Sequence, residues 1–504
     1  MNPSLHDIAS DNHTLKSLGY EQELDRRMSG FSNFAISFSI ICILSGGLTS
    51  FHLGFSSVGG AAIGIGWPLS CLFSLIVAAA MGQLASAFPT AGGLYHWASI
   101  LGGRFWGWAT AWLNLVGLIT TLAAINVGTF AFTVGSLDKI FGTQLSSLTG
   151  TEQILLQTAG VALMTASQGL VNHLGIKLTT KLTDFSGYLI MVVATILTVS
   201  LVVYGASFDV SRLVTLQNFS GPSGGDVWPA NNNLFELFAL GLLLPAYTIT
   251  GFDASAHTSE ETVGAQRNVP RGIVRAAMVS SVAGWLMLIA IVLAMPSLEA
   301  GAAQGPNVFF WVLEQVLPKS LGNVLLIGII IAQYICGLAT VTSTSRMTYA
   351  FARDGGLPFS RQLKQVSPRY MTPAHAIWTV VALTVMFALY TPVYSTITVC
   401  CVIFLYISYV LPIALGYFAH GKKWTKFGPW SLGPWFKPAC IVSAIGCVAL
   451  IIIGIQPPND KALAVLLSTL FIMALIWLGL ERRRFQGPPI ANLSTATKES
   501  SCDH

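Results

Sequence analysis

The residues best equipped for chemistry crowd into one stretch of the chain. Asp253, His257, Glu260 and Glu261 follow Thr248, Thr250 and Gly251 at the end of an apolar run that begins near Leu234. Ionisable side chains in such a run are costly and mark a functional site by default. The glycine and the hydroxyls beside them also weaken a helix at that point. In hydrocarbon, broken backbone survives only where protein or a water-filled cavity surrounds it. Residues 250–253 therefore read as the break in a discontinuous membrane helix, with a bound solute beside it. A second stretch repeats the anomaly, since Ser45, Gly46, Gly47, Thr49 and Ser50 interrupt the apolar run 31–54. Each interior glycine costs about 1 kcal/mol relative to alanine, so a pair needs a reason. Close packing of small residues explains one such span equally well. Two spans interrupted alike favour paired breaks.

A break exposes main-chain groups, and their polarity suggests the ligand. The outer half of the first span starts at its break, so N–H groups near Gly46 and Gly47, beside Ser45, suit a carboxylate. The outer half of the sixth ends at its break, so carbonyls of Ile249, Thr250 and Phe252 suit an ammonium group. A small zwitterion fits both ends. Asp253 either neutralises the amine or caps the inner half-helix that starts there. Phe252 either closes over the solute or packs as core. His257 is either a proton relay or a satisfied packing histidine.

The elements that hold these residues are membrane spans. Of 504 residues 53% are hydrophobic and only 9% charged, against about 25% charged in soluble domains. About twelve apolar runs suit a bilayer core of about 30 Å, near 31–54, 62–86, 106–133, 153–171, 185–205, 234–259, 272–295, 322–352, 374–391, 394–418, 438–456 and 461–480. An even number puts both termini on one side. On that side lie 21 of the 26 Lys and Arg residues, which the positive-inside rule makes cytoplasmic. The expected organisation is a cytoplasmic tail 1–29, a five-span half 30–206, an external loop 207–233, a second half 234–418, two trailing helices within 419–480 and a cytoplasmic tail 481–504. Halves with an odd number of spans run oppositely, the pattern of inverted repeats with a midplane site. The chain is thus expected to be all-α, multi-pass and resident in the cell membrane.

Three motifs carry a family resemblance: Gly251-Phe252-Asp253-Ala254-Ser255-Ala256-His257-Thr258-Ser259-Glu260-Glu261, Phe88-Pro89-Thr90-Ala91-Gly92-Gly93-Leu94-Tyr95-His96-Trp97, and Ser345-Arg346-Met347-Thr348-Tyr349-Ala350-Phe351-Ala352-Arg353-Asp354-Gly355-Gly356-Leu357-Pro358. The chain resembles the amino acid–polyamine–organocation superfamily, in its amino acid/choline/GABA permease branch, over residues 31 to about 480. The resemblance implies a LeuT-like five-plus-five inverted repeat with discontinuous helices 1 and 6, and secondary active transport of amino-group-bearing solutes by alternating access. It places Gly46 and Gly47 at a carboxylate-binding break, and Thr250, Gly251 and Phe252 at an amine-binding one. A choline or polyamine permease, and a non-transporting nutrient sensor on the same scaffold, are the competing readings.

The remaining signals concern gating and coupling. Residues 89–97 are expected to form a short amphipathic helix on the cytoplasmic side. Glu260 and Glu261 end the sixth span, where negative charge opposes the helix dipole, so they want cations. Arg346, Arg267 and Arg271 are the candidates, either as an inner gate or as a structural salt bridge. Some superfamily members place a Lys in the fifth span in lieu of a sodium ion; the run 185–204 has none. Hydroxyls of the eighth span, Thr342 and Ser343 among them, either ligate Na⁺ with first-span carbonyls or bond back to the preceding turn. The coupling ion is therefore open between H⁺, Na⁺ and none. Asn114, Asn126, Gln333 and Tyr334 are candidate pocket residues. His257 with Glu260 and Glu261 lacks zinc-ligand spacing, Gly59 to Gly64 lack the Lys-Ser/Thr of a phosphate loop, and no cofactor, metal, nucleic-acid partner or enzymatic activity is expected.

Overall fold

The computed structural model describes residues 5–206, 208–390 and 394–489. The extreme ends of both expected tails, loop residue 207 and the expected span end at 391 lie outside the described residues. Among the described residues, ten helices are long and apolar enough to cross a membrane, and two shorter apolar helices, Leu234–Thr248 and Ala374–Tyr390, complete the expected twelve. The first span is Gly30–Ile41 continued by Gly46–Thr49 and Phe51–Val58, and the sixth is Leu234–Gly241 and Leu243–Thr248 followed by a single turn, Ala254–His257. The second, third, fourth and fifth spans are Ala62–Ala87, Arg104–Phe141, Gly150–His173 and Ile176–Tyr204. The seventh, eighth, tenth, eleventh and twelfth are Ala265–Ala294, Lys319–Arg353, Tyr394–Ala419, Gly433–Gly454 and Lys461–Arg484, with Ala374–Tyr390 the ninth.

Local chemistry sets the helix ends. The Ser29 hydroxyl accepts from the Ser32 N–H at the start of the first span, and the Asn233 side chain accepts from Phe235 and Glu236 at the start of the sixth. The third span stops at Gly142, which is left-handed at φ 70°. The eighth stops at Arg353, followed by Gly355 at φ 80°, as the Gly-Gly-x-Pro sequence predicts.

The packing is symmetric under exchange of each span with the one five places on. The third packs on the tenth and the eighth on the fifth. The first packs on the seventh, while the sixth packs on the second. The fourth packs on the eighth as the ninth packs on the third, and the second–seventh, third–eighth and fourth–ninth pairs map onto themselves. This is the five-plus-five arrangement with two trailing helices, and it leaves spans one and six central. The first span is 89% buried over its apolar window, the twelfth only 11%. The apolar side chains that spans four, five and twelve expose, such as Leu163, Val203 and Leu475, are where lipid contact is expected.

Two expectations change. The seventh span begins at Ala265, before Pro270, rather than at 272. Residues 89–97 are not an amphipathic helix. Residues 89–93 form a turn, and the helix Leu94–Gly102 that follows is buried on nearly every side, because it packs against the third and tenth spans and its Tyr95 against Phe351 of the eighth. The N-terminal segment packs against the bundle. Helix Leu5–Ser17 lies beneath the bundle, where the Asp11 carboxylate accepts from the N–H groups of Gly264 (2.7 Å) and Ala265 (3.0 Å) and so caps the seventh span. Leu15, Leu18 and Tyr20 form a small apolar cluster with Phe88.

Candidate functional site

The two breaks touch each other in the middle of the bundle. In the first span the helix leaves its path at Cys42 (φ 17°, ψ 87°), and the Ser45 and Gly46 N–H groups both donate to the Cys42 carbonyl. Among the described residues, nothing accepts from the N–H groups of Gly47 and Leu48. The two glycines do different work. A Cβ on Gly46 would lie 2.9 Å from the Thr248 Cα of the other break, whereas one on Gly47 would make only an ordinary 3.6 Å contact with Met287. Gly46 lets the spans meet, and Gly47 leaves its amide bare. The Leu44 carbonyl accepts from Gln333 Nε2 at 2.9 Å.

The sixth span opens at Gly251, whose φ of +86° favours glycine. Any Cβ there would also sit 2.2 Å from Ile40 Cγ2. The carbonyls are fewer than expected. That of Ile249 accepts from the Tyr406 hydroxyl (3.3 Å) and that of Phe252 from Ser37 (2.9 Å). The Thr250 carbonyl has no donor among the described residues, and the Thr250 hydroxyl donates to the Tyr247 carbonyl. Phe252 is buried, with its ring centroid 4.9 Å from that of Tyr409.

Asp253 stands at the start of the inner turn but makes no side-chain cap bond. The capping reading is corrected, because three other groups hold the carboxylate. Tyr409 donates its hydroxyl to Oδ1 at 2.8 Å, Asn114 Nδ2 donates to Oδ2 at 3.2 Å, and His257 Nε2 lies 3.2 Å from Oδ2. Tyr409 also accepts from the Gly251 N–H at 3.1 Å, so one hydroxyl ties the break to the carboxylate. His257 Nδ1 faces the Ala91 carbonyl at 3.2 Å. Asp253 and His257 are both fully buried.

Towards the face that carries both ends of the described chain, buried ion pairs join the spans. Arg346 grips Glu261 with two bonds of 2.9 and 3.1 Å, and Arg353 grips Glu260 at 2.9 and 3.0 Å. Glu260 is thus paired with Arg353 rather than Arg346. Arg267 and Arg271 are exposed on the first turns of the seventh span and take no part. Arg26 of the N-terminal segment donates to the carbonyls of Ser259 (3.3 Å) and Thr262 (2.7 Å), and burial lowers its pKa against the pull of Asp11. The Arg353 guanidinium lies 3.9 Å over the Tyr20 ring. Beside it, Asp354 accepts from the hydroxyls of Tyr20 and Tyr95, and burial raises its pKa.

The opposite side holds a half-open cavity of about 360 Å³, lined by Leu48, Thr49, His52, Phe310 and Tyr394, among others. The Tyr394 hydroxyl is 2.7 Å from that of Ser50, and the ring meets Tyr247 edge-on one turn from the second break. In the eighth span, Thr342 donates to Asn172 of the fourth span (2.7 Å) and back to the Leu338 carbonyl (3.2 Å), not to first-span carbonyls. Thr340, Thr344 and Ser345 also bond back along their own helix, while the buried Ser343 hydroxyl has no partner among the described residues. Asn126 and Tyr334 face Gln168 and Ser167 of the fourth span, away from the breaks.

A sequence model described as amino acid permease matches residues 28–480. The chain belongs to the amino acid permease family. It is similar to the amino-acid permease BAT1 of Arabidopsis thaliana, 30% identical over 95% of this chain and 96% of that protein. The BAT1 homolog of Oryza sativa is also 30% identical, over 95% of both chains. A GABA-specific permease of Saccharomyces cerevisiae is 28% identical over 73% of this chain and 64% of its own length. The chain is therefore a multi-pass membrane transporter for amino acids and not an enzyme. The sequence reading missed Tyr406, Tyr409, Arg353, Arg26 and the Ala91 turn. The tyrosine pair was visible as two phenols three residues apart in an apolar run, a spacing that turns both to one helix face. The other three are long-range partners without a local signature.

Proposed function

We propose that this permease is a secondary transporter that carries amino acids or related amines such as γ-aminobutyrate across the cell membrane by alternating access. Both termini lie in the cytoplasm, and residues 30–206 and 234–418 are the two repeats that move against each other. The substrate carboxylate binds at the bare amides of Gly47 and Leu48, beside Ser45 and Gly46. Its amine binds at the Thr250 carbonyl and Asp253, with Ile249, Gly251 and Phe252 shaping the break. The Glu261–Arg346 and Glu260–Arg353 pairs are the inner gate, and Tyr394 with Tyr247 stands at the outer entrance. Among the described residues, the buried Ser343 hydroxyl of the eighth span is still free for a cation such as Na⁺.

One observation carries the reading. Two spans lose their helical hydrogen bonding at the same depth and in contact, leaving unpaired N–H groups on one side and an unpaired carbonyl and a carboxylate on the other. Unpaired main-chain groups cost free energy in a membrane interior unless a ligand or water meets them. The test is uptake by purified protein in liposomes, comparing radiolabelled γ-aminobutyrate, neutral amino acids, putrescine and choline. Uptake of carboxylate-bearing amines, with choline a poor competitor, is expected. If choline outcompetes the zwitterions, the carboxylate site is misassigned.

A further inference from the structure

We propose that an apolar groove between the third, eighth and ninth spans binds one anionic phospholipid, with an acyl chain in the groove and the phosphate at its mouth. The inference stands apart from the transport reading above, because it uses none of the residues at the two breaks. The groove encloses about 1030 Å³. It is lined by Trp112 and Leu115 of the third span, Thr348 of the eighth, the stretch 357–363 and the ninth span from Ala374 to Leu383. Those last two residues are nine positions apart in one helix, or about 13 Å. One leaflet's share of a bilayer core is about 15 Å. The groove therefore runs the depth of a single leaflet, on the side where the eighth span ends and the ninth begins. Trp378 and Leu383 of its wall are exposed, as are Met386 and Leu389 further along the same span, so lipid is what meets its open side.

The mouth carries charge of one sign. From residue 355 to residue 390 the sequence holds Arg361, Lys364 and Arg369 but no Asp or Glu. Arg361 and Lys364 flank Gln362 and Leu363 of the lining, and both are exposed. The Arg369 guanidinium lies 5.2 Å from the centre of the Tyr370 ring, which itself packs 5.4 Å from the ring of His173, another lining residue. Among the described residues, none of the three cations is in an ion pair. Unpaired cations at one end of an apolar groove match a ligand with a phosphate at one end and hydrocarbon at the other. A sterol lacks the charge, and free phosphate lacks the tail.

Two lining residues also keep polar atoms without partners. Trp112 Nε1 and His173 Nδ1 are buried, and nothing bonds them among the described residues. A buried polar atom left so is unfavourable unless a ligand or water meets it. His173 is the last residue of the fourth span, the level at which a phospholipid carries its ester oxygens. The groove also touches the helix that holds both buried arginines. Thr348 of its lining lies between Arg346 and Arg353, and the Trp112 ring meets Phe351 of that helix edge-on at 6.1 Å. A lipid in the groove thus braces the end of the eighth span.

The experiment is native mass spectrometry of the full-length protein in detergent, titrated with phosphatidylglycerol and phosphatidylcholine of identical chains. The expected result is one phosphatidylglycerol retained in preference to phosphatidylcholine, by a factor on the order of ten to a hundred for three cations near one phosphate. Arg361→Gln, Lys364→Gln and Arg369→Gln together should abolish that preference. Removing three charges elsewhere on the same face, by Lys422→Gln, Lys423→Gln and Lys426→Gln, should leave it intact. Ala382→Trp fills the groove and should lose the bound lipid with every charge in place. All these positions are exposed, so the fold tolerates the changes. Equal retention of the two lipids by the unaltered protein, equal loss in the two triple variants, or full retention by Ala382→Trp overturns the site. Displacement of the lipid by inorganic phosphate, or by an equal amount of cholesterol, overturns it as well, since the first needs only the cations and the second only the groove.

Discussion

Removing the charge from Glu261 should open the permease towards the face of its termini. In the closed form Arg346 and Glu261 are both fully buried and joined by two bonds. Glu261→Gln leaves the guanidinium buried without a counter-charge, a loss of about 3–5 kcal/mol. In an open form water reaches both groups, so the loss falls on the closed state. Since about 1.4 kcal/mol is tenfold in population, the open form should gain by a factor on the order of 100 to 3,000 until it saturates. Cys336 is a native reporter: its thiol donates to the Ile40 carbonyl behind the inner half of the first span, and it is buried. With the other seven cysteines replaced, its alkylation by a membrane-impermeant maleimide added on the terminus side should accelerate strongly in Glu261→Gln. The double variant Glu261→Gln, Arg346→Gln strands no charge and should recover much of the protection, a non-additivity that marks a direct interaction. Cys336 alkylation unchanged in the single variant would refute the gate.

Other substitutions probe separate parts of the account. Gly251→Ala places a Cβ into Ile40 and forces alanine into a left-handed backbone, costing about 1–3 kcal/mol before the clash is counted; it should fold poorly or not transport, as thermal unfolding and uptake would show. Asp11→Ala removes the carboxylate that caps the seventh span and should cost about 1 kcal/mol, with faster proteolysis within Leu5–Ser17. Burial lowers the pKa of His96 from 6.5 to about 3. A depressed folded-state pKa gives stability that is present above about 6.5 and lost as pH falls towards 3, on the order of 5 kcal/mol in full. Thermal unfolding should therefore weaken from pH 7 to pH 5, and His96→Gln should flatten that slope; an equal slope in both proteins contradicts the assignment.

The span pattern and both breaks were legible because their signals are local. An apolar run announces a span, and Gly46-Gly47 or Gly251 within such a run announces a fault in it. What lay beyond reach was partnership between distant segments. Nothing around Glu260 indicates that Arg353 rather than Arg346 will grip it, because both arginines lie on the same helix two turns apart. Asp253 reads locally as either an amine ligand or a cap, and only the fold brings Tyr409 and Asn114 to its carboxylate. The N-terminal segment hides its partners for a related reason: its composition is polar, and only the fold shows that Asp11 and Arg26 use that polarity to satisfy main-chain ends of spans six and seven. Residues 89–97 looked amphipathic, but the helix that follows the turn is covered by spans three and ten.

The most direct test of the central claim is a density map of the purified permease with γ-aminobutyrate bound. The account predicts the carboxylate within hydrogen-bonding distance of the Gly47 and Leu48 amides, and the ammonium at the Thr250 carbonyl and Asp253. Density confined to the outer cavity beside His52 and Tyr394, with the paired breaks filled only by side chains, would contradict it.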